Sequence, residues 1–351
     1  MAQFTAFSAP TLNVFEFLSS SDNALTCVLL PNSREQQGSS HRIIAPKDYV
    51  TAEQVVAKNV AWPVSVQSVV VTSRKITQAL VDDVIATLGD AILAVLPIQS
   101  SIGYQSLELK LTSTIELNTL SHLHEKHAVD CNLVSNLPSL SKPGLVVLDM
   151  DSTSIEIECI DEIAKLAGVG EEVSEITELA MQGKLDFSQS LRARVAKLKG
   201  IELNLLDQIA NDLPLMPGMK DLVTQFKAHH WKVAIASGGF TYFADNLKEL
   251  LGLDAAVSNT LAHDGTVLTG EVVGEIVDAK VKARTVVALA AEYGIELEQT
   301  IAIGDGANDL VMMEQAALGV AFHAKPLVQQ QADVAINQGD LGAVIALLSR
   351  R

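Results

Sequence analysis

Cysteine is scarce in this chain of 351 residues: only Cys27, Cys131 and Cys159 occur. An odd number spread so widely makes no disulfide framework and points to a reducing, cytoplasmic compartment. Basic residues are outnumbered, with 25 Lys and Arg against 42 Asp and Glu and a formal net charge of −17. That balance excludes nucleic acid and anionic membrane as partners, since both need Lys and Arg. It leaves open a small anionic substrate, which feels only the local field. No apolar run reaches the roughly 20 residues that span a bilayer. The start, Met1-Ala2-Gln3-Phe4, lacks the basic and apolar segments of a secretory signal. What remains is ordinary globular material, 48% hydrophobic and 19% charged, long enough for two or three domains.

The first 61 residues carry little pattern. A strand over 27–30 would stop at Pro31, and 32–40 reads as a polar loop around Gly38. From about residue 64 the signal sharpens. Residues 66–72 are β-branched and strand-like. Ile76, Leu80, Val84 and Leu88 recur at helical spacing. Residues 91–98 read as a strand, and Leu107, Leu109 and Leu111 alternate with polar residues as another. A helix over 114–127 and a strand over 129–134 complete the order β-α-β-β-α-β, the ferredoxin-like signature. Small amino-acid-sensing domains of the ACT type share this order. A domain over 1–138, ACT-like from about 64, is therefore expected either to sense an effector or to be structural, with a homodimer formed through it. Pro138, Pro143 and Gly144 punctuate a linker, and the second domain is expected over 144–351.

That second domain begins with Val146-Val147-Leu148, a short buried strand, followed at once by Asp149-Met150-Asp151-Ser152-Thr153. Helical patterns then run to about residue 211 with no strand between them. That is too long for a simple crossover, and it reads as a helical cap over about 158–213. Strand and helix alternate afterwards, with Asp264-Gly265 marking a hairpin turn. Such alternation specifies a parallel, doubly wound α/β sheet.

Three of its strands end in polar clusters: Asp149 with Asp151, Ser237-Gly238-Gly239, and Gly304-Asp305-Gly306-Ala307-Asn308-Asp309. Parallel strands bring these ends to one edge of the sheet, where open α/β folds bind ligands. The acids repel one another unless a cation intervenes, and hard oxygen ligands shared with water suit Mg²⁺. Ser237 and the open N–H groups of a glycine pair suit a phosphate. Lys280 or Lys282 could complete its neutralisation. The set matches phosphoryl transfer with a carboxylate nucleophile and an aspartyl-phosphate intermediate. His122 and His124 point to different helix faces, and His229-His230 sits at a helix end, so none is expected to ligate.

These residues resemble the four motifs of the haloacid dehalogenase superfamily. More narrowly, residues 149–324 are similar to its phosphoserine phosphatases, including the cap segments Ile160-Asp161-Glu162-Ile163-Ala164, Met181-Gln182-Gly183-Lys184 and Ser190-Leu191-Arg192-Ala193-Arg194-Val195. The resemblance implies Mg²⁺-dependent hydrolysis of O-phospho-L-serine to L-serine and phosphate, the last step of serine biosynthesis. It implies Asp149 as nucleophile and Asp151 as acid and then base. Ser237, Gly238, Lys282 and Asn308 would hold the phosphate. Asp149, the Asp151 carbonyl and Asp305 would carry Mg²⁺, with Asp309 supporting the metal shell. Glu158 would meet the substrate ammonium and Arg194 its carboxylate, between walls formed by Met181 and Phe187. Other readings are a phosphatase of another small ester such as phosphoglycolate, a phosphotransferase, and a regulatory amino-acid-binding protein with an inactive phosphatase half.

Overall fold

Alternating apolar side chains at Val69 and Val71, and at Leu107, Leu109 and Leu111, build the first sheet of the molecule. The computed structural model describes residues 26–29, 49–51, 67–95 and 99–348; the loop expected at 32–40 and the tail of the strand expected over 91–98 lie outside them. The chain divides into two units, Met1–Leu137 with Ile336–Arg350, and Pro138–Ala335.

In the first unit the elements are β1 (Thr26–Leu29), β2 (Tyr49–Thr51), β3 (Gln67–Ser73), α1 (Gln78–Leu88), β4 (Ile92–Val95), β5 (Gln99–Ser101), β6 (Tyr104–Leu111), α2 (Ser121–His127) and β7 (Asp130–Val134). The strands run in the order β2-β1-β4-β6-β3-β7, with β5 folded back on β6. From β3 to β7 this is the ferredoxin-like arrangement, all antiparallel. Helix α1 starts where Thr77 accepts a hydrogen bond from Leu80 N. Its buried face, Leu80, Val84 and Leu88, packs with Leu123 of α2 against one side of the sheet. The helix expected over 114–127 is shorter than its pattern, because a 3₁₀ turn, Leu117–Leu120, precedes α2. The other face of the sheet presents Ser68, Thr72, Ser106, Glu108 and Asn132, and these too are buried.

The second unit is built on β8 (Leu145–Leu148), whose four residues are all buried. After it come α3 (Cys159–Leu166), α4 (Gly170–Met181), α5 (Phe187–Lys197) and α6 (Leu203–Ala210), which form the cap. The wound sheet resumes with α7 (Met219–Ala228), β9 (Lys232–Phe240), α8 (Thr241–Leu251), β10 (Ala255–His263), β11 (Leu268–Val273), α9 (Ala279–Tyr293), β12 (Thr300–Gly304), α10 (Leu310–Gln315), β13 (Leu318–Phe322), α11 (Pro326–Gln331) and β14 (Val334–Ile336). Strand order is β11-β10-β9-β8-β12-β13-β14. The strands from β10 to β13 pair in parallel, and β11 is an antiparallel edge closed by the Asp264-Gly265 turn. Strands buried on both faces explain why β8, β12 and β13 read as unbroken apolar runs. Part of the expected linker is fixed to this unit: Ser139 N donates to Gln299 Oε1 at 2.8 Å, and Leu140 is buried.

The expectation of one domain over 144–351 meets a different arrangement at its end. Helix α12 (Gly342–Leu348) lies against β3, β5 and β6 of the first unit, with every residue buried. The turn that leads to it is anchored by Asp130, whose carboxylate accepts the N–H groups of Asn337, Gln338 and Gly339 at 2.7, 3.0 and 2.9 Å. Arg74 pairs with Asp340 beside it.

Candidate active site

Strand order places β8 between β9 and β12, so the three polar strand ends become neighbours. Asp149 N still donates to Ile303 O at 2.9 Å, which fixes the nucleophile candidate to the end of the sheet ladder. The chain then turns sharply. Met150 O accepts from Thr153, Ser154 and Ile155 N–H groups, and Ser152 takes a left-handed φ of 55°. Ser154 Oγ, buried, donates to Asp149 O at 2.5 Å. This turn carries Asp151 back over the strand end, where its Oδ1 accepts Cys159 N–H at 3.1 Å at the mouth of α3.

One cavity of about 220 Å³ collects the site. Its lining includes Asp149, Asp151, Ser237, Gly238, Lys282, Asp305 and Asn308 from the sheet side, and Glu158, Phe187 and Arg194 from the cap side. The two lysine candidates separate cleanly. Lys280 is exposed, whereas Lys282 is 1% exposed, with Nζ 2.7 Å from Asp149 Oδ2 and 2.8 Å from Asp309 Oδ1. Burial alone would lower its pKa, but the two carboxylates outweigh that and hold the ammonium charged. Asp309 accepts Gly306 N–H at 3.0 Å through its other oxygen, so both oxygens have donors. A side chain at Gly304 would put Cβ 2.4 Å from Asp309 Cγ, which is why glycine ends β12.

Five carboxylates, Asp149, Asp151, Glu158, Asp305 and Asp309, face two cations, Lys282 and Arg194. The imbalance shows in their protonation. Burial, then the charges of Glu158 and Asp149, push Asp151 up to about 7. Burial and Asp149 also raise Asp305, against the hydroxyl of Thr153 that donates to it at 3.2 Å. Burial raises Glu158, although Ser152 Oγ donates to it at 2.7 Å. Asp149, Asp305 and Asp309 bring carboxylate oxygens within 4.8 Å of one another. Such a donor set, all oxygen and over-charged, fits a hard divalent cation. Asp309 joins this cluster by its carboxylate, and the Asp151 carboxylate accepts Cys159 N–H.

The expectation that Met181 walls the site needs correction. It ends α4, a helix whose only fully buried residue is Val173, and it is 73% exposed and outside the cavity lining. Ile160, Leu191 and Phe240 supply apolar wall beside Phe187. Phe187 presses on the glycine pair: a Cβ at Gly238 would meet its ring at 2.8 Å, and one at Gly239 would meet Asp151 Oδ2 at 2.7 Å. Ile160 and Leu191 stood in segments that the sequence singled out; Phe240, one residue past the glycines, carried no signal beyond adjacency. Arg194 Nε is buried with no hydrogen-bond partner among the described residues, although Asp161 and Glu158 lie near enough to support its charge.

Residues 143–317 match the model of the haloacid dehalogenase-like hydrolases. The phosphoserine phosphatase of Vibrio cholerae is 58% identical over 221 residues, 63% of this chain and 67% of that protein. The chain belongs to the phosphoserine phosphatase family of these hydrolases. A Haemophilus influenzae phosphoserine phosphatase is likewise 58% identical, over 63% of this chain and 70% of its own. Among solved structures, the unliganded probable phosphoserine phosphatase from Vibrio cholerae superposes with a TM-score of 0.72 at 47% identity, covering 83% of this chain and 88% of that one. A substrate-bound phosphoserine phosphatase complex covers 59% of this chain and 99% of its own, with a TM-score of 0.56 at 40% identity.

Proposed function

We propose that this enzyme hydrolyses O-phospho-L-serine through an aspartyl-phosphate on Asp149. The observation that carries the reading is the cavity with two chemically different ends. Asp149, Ser237 and Lys282 form an end for a phosphate. Glu158 and Arg194 form an end for an ammonium and a carboxylate. The unpartnered Arg194 Nε is a buried donor that a substrate carboxylate would satisfy.

In this reading Asp149 attacks phosphorus in line, and the P–O bond to serine breaks. Asp151, poised near neutrality, gives its proton to the departing serine oxygen. The resulting carboxylate then takes a proton from the water that attacks the phosphoenzyme, releasing phosphate and restoring Asp149. Lys282 and the Ser237–Gly238 backbone hold the equatorial oxygens, with Asn308 at the rim. Asp149, Asp305 and the Asp151 carbonyl would hold Mg²⁺, while Asp309, both of whose oxygens have donors, fixes Lys282 and the 304–309 loop. Mg²⁺ would supply charge neutralisation between the carboxylates and the phosphate. We assign the reaction to the end of serine biosynthesis in the cytoplasm, with a homodimer through the first unit. No described helix is long and apolar enough to cross a membrane.

The test is phosphate release with Mg²⁺ from phosphoserine, phosphoethanolamine, phospholactate and phosphoglycolate. Preference for phosphoserine over all three is expected. Equal use of phosphoglycolate would overturn the substrate assignment, and phosphoryl transfer to an added alcohol in place of water would identify a phosphotransferase.

A further inference from the structure

The phosphate-facing segment 237–239 is an irregularity in the sheet, and the irregularity has a keeper. Strands β9 and β10 pair in parallel up to Ala236 and Val257, and resume at Phe240 and Asn259. Three residues of β9, Ser237, Gly238 and Gly239, thus stand opposite the single residue Ser258. Such a bulge takes these residues out of the ladder and removes strand partners from their carbonyls. Asn259 is 1% exposed and supplies what is missing. Its Nδ2 donates to Gly238 O at 2.7 Å, and its Oδ1 accepts Val277 N–H at 2.8 Å.

Gly238 O belongs to the same peptide plane as Gly239 N. Holding the oxygen on the Asn259 side therefore fixes the direction of that N–H, which donates to Ser237 Oγ at 2.9 Å. A serine hydroxyl has one proton. With Gly239 N–H filling one lone pair, Ser237 is oriented to donate its proton elsewhere, and Ser237 lines the cavity. Two glycines flank the plane, so backbone sterics would not prevent its rotation. The second bond of Asn259 reaches the residue before Asp278, the N-cap of α9, whose side chain accepts Val281 N–H at 2.9 Å. Lys282 follows in the same turn.

We propose that Asn259 is a positioning residue: through the Gly238–Gly239 peptide it sets the Ser237 hydroxyl as a donor to phosphate, and through Val277 it ties that donor to the helix start that delivers Lys282. It touches no reacting atom. The proposal rests on the reading of this cavity as a phosphate site.

Asn259→Asp is the decisive variant, because it keeps shape and the acceptor for Val277 N–H but loses the donor to Gly238 O. The full chain with Mg²⁺ is measured for binding of inorganic phosphate by calorimetry, for amide hydrogen exchange at Gly239, and for kcat and KM separately. Phosphate affinity should fall about tenfold to a hundredfold, the span of one lost buried hydrogen bond. Gly239 exchange should quicken while the thermal midpoint stays near that of the parent. The ratio of phosphoserine to phosphoethanolamine use, set at the cap end, should not change. A folded variant with parental phosphate affinity and parental exchange at Gly239 overturns the proposal, as does a loss of stability with no selective loss of phosphate. If Asn259→Asp does not fold, Asn259→Ser, a smaller side chain that still carries a donor, is judged by the same readouts. Phosphate binding without turnover of any ester would count against the functional reading and leave the Asn259 test standing.

Discussion

Lys282 Nζ lies 2.7 Å from Asp149 Oδ2, and both groups are shut away from bulk water. The contact has two meanings. It sets a cation against the carboxylate that ends β8, and it gives a buried ammonium its charge partner. Removing one member of such a pair strands the other. Lys282→Met should therefore destabilise the fold by about 3–5 kcal/mol, on top of any loss of turnover. Urea unfolding in the absence of metal measures it, and a change below about 1 kcal/mol would mean the pair is relieved by solvent, as surface pairs are.

Asp149→Asn should abolish turnover by at least about 10⁴-fold, as removal of a nucleophile does. The fold should survive, because Lys282 keeps Asp309. No acid-stable, hydroxylamine-sensitive phosphoprotein should form with labelled substrate. Turnover within about tenfold of the parent would exclude covalent catalysis at this carboxylate.

Chelation should stop turnover, and Mg²⁺ should restore it. Ca²⁺ should restore it poorly, because it favours more ligands at longer distances. Since the cation would relieve repulsion among Asp149, Asp305 and Asp309, Mg²⁺ should also raise the thermal midpoint of the resting protein. Full activity after exhaustive chelation would refute the metal assignment.

The cap end separates charge from charge. Arg194→Ala should lower kcat/KM for phosphoserine by roughly 2–5 kcal/mol in transition-state terms, yet barely affect phosphoethanolamine, which has no carboxylate to lose. Glu158→Gln should hurt phosphoserine and spare phospholactate, which has no ammonium. Equal losses on phosphoserine and phosphoethanolamine in Arg194→Ala would move Arg194 from recognition to folding.

A fragment over 139–336 should fold and retain phosphatase activity, whereas one over 139–351 should aggregate. The second would carry α12, Gly-Ala-Val-Ile-Ala-Leu-Leu, without the sheet that buries it. Light scattering and activity of the two fragments decide this. An equally soluble, active longer fragment would show that α12 needs no partner.

Most of the site could be read along the chain because its chemistry sits in short segments directly after buried strands. Asp149, Ser237 and Asp305 each follow an apolar run, and a parallel sheet has only one edge to bring them to. Lys280 and Lys282 could not be told apart by spacing. The choice lies in which face of α9 turns to the core, and burial picks Lys282. Met181 misled because its neighbourhood, not its own packing, carried the resemblance. Asn259 gave no signal, since its role depends on a bulge in the adjacent strand that no local pattern encodes. The last helix was not singled out, because a short run of apolar residues says that it is buried but not against what.

The place of that helix bears on how the protein is made. A ribosome releases the strands of the first unit early, yet the segment that covers one face of their sheet emerges only after the whole of the second unit. Until then, β3 and β6 would leave the tunnel with an incomplete layer. The second unit, contiguous in sequence, can fold as it appears. Synthesis therefore inverts the written order: the later half matures first, and the earlier half waits for the final turns of chain to close it.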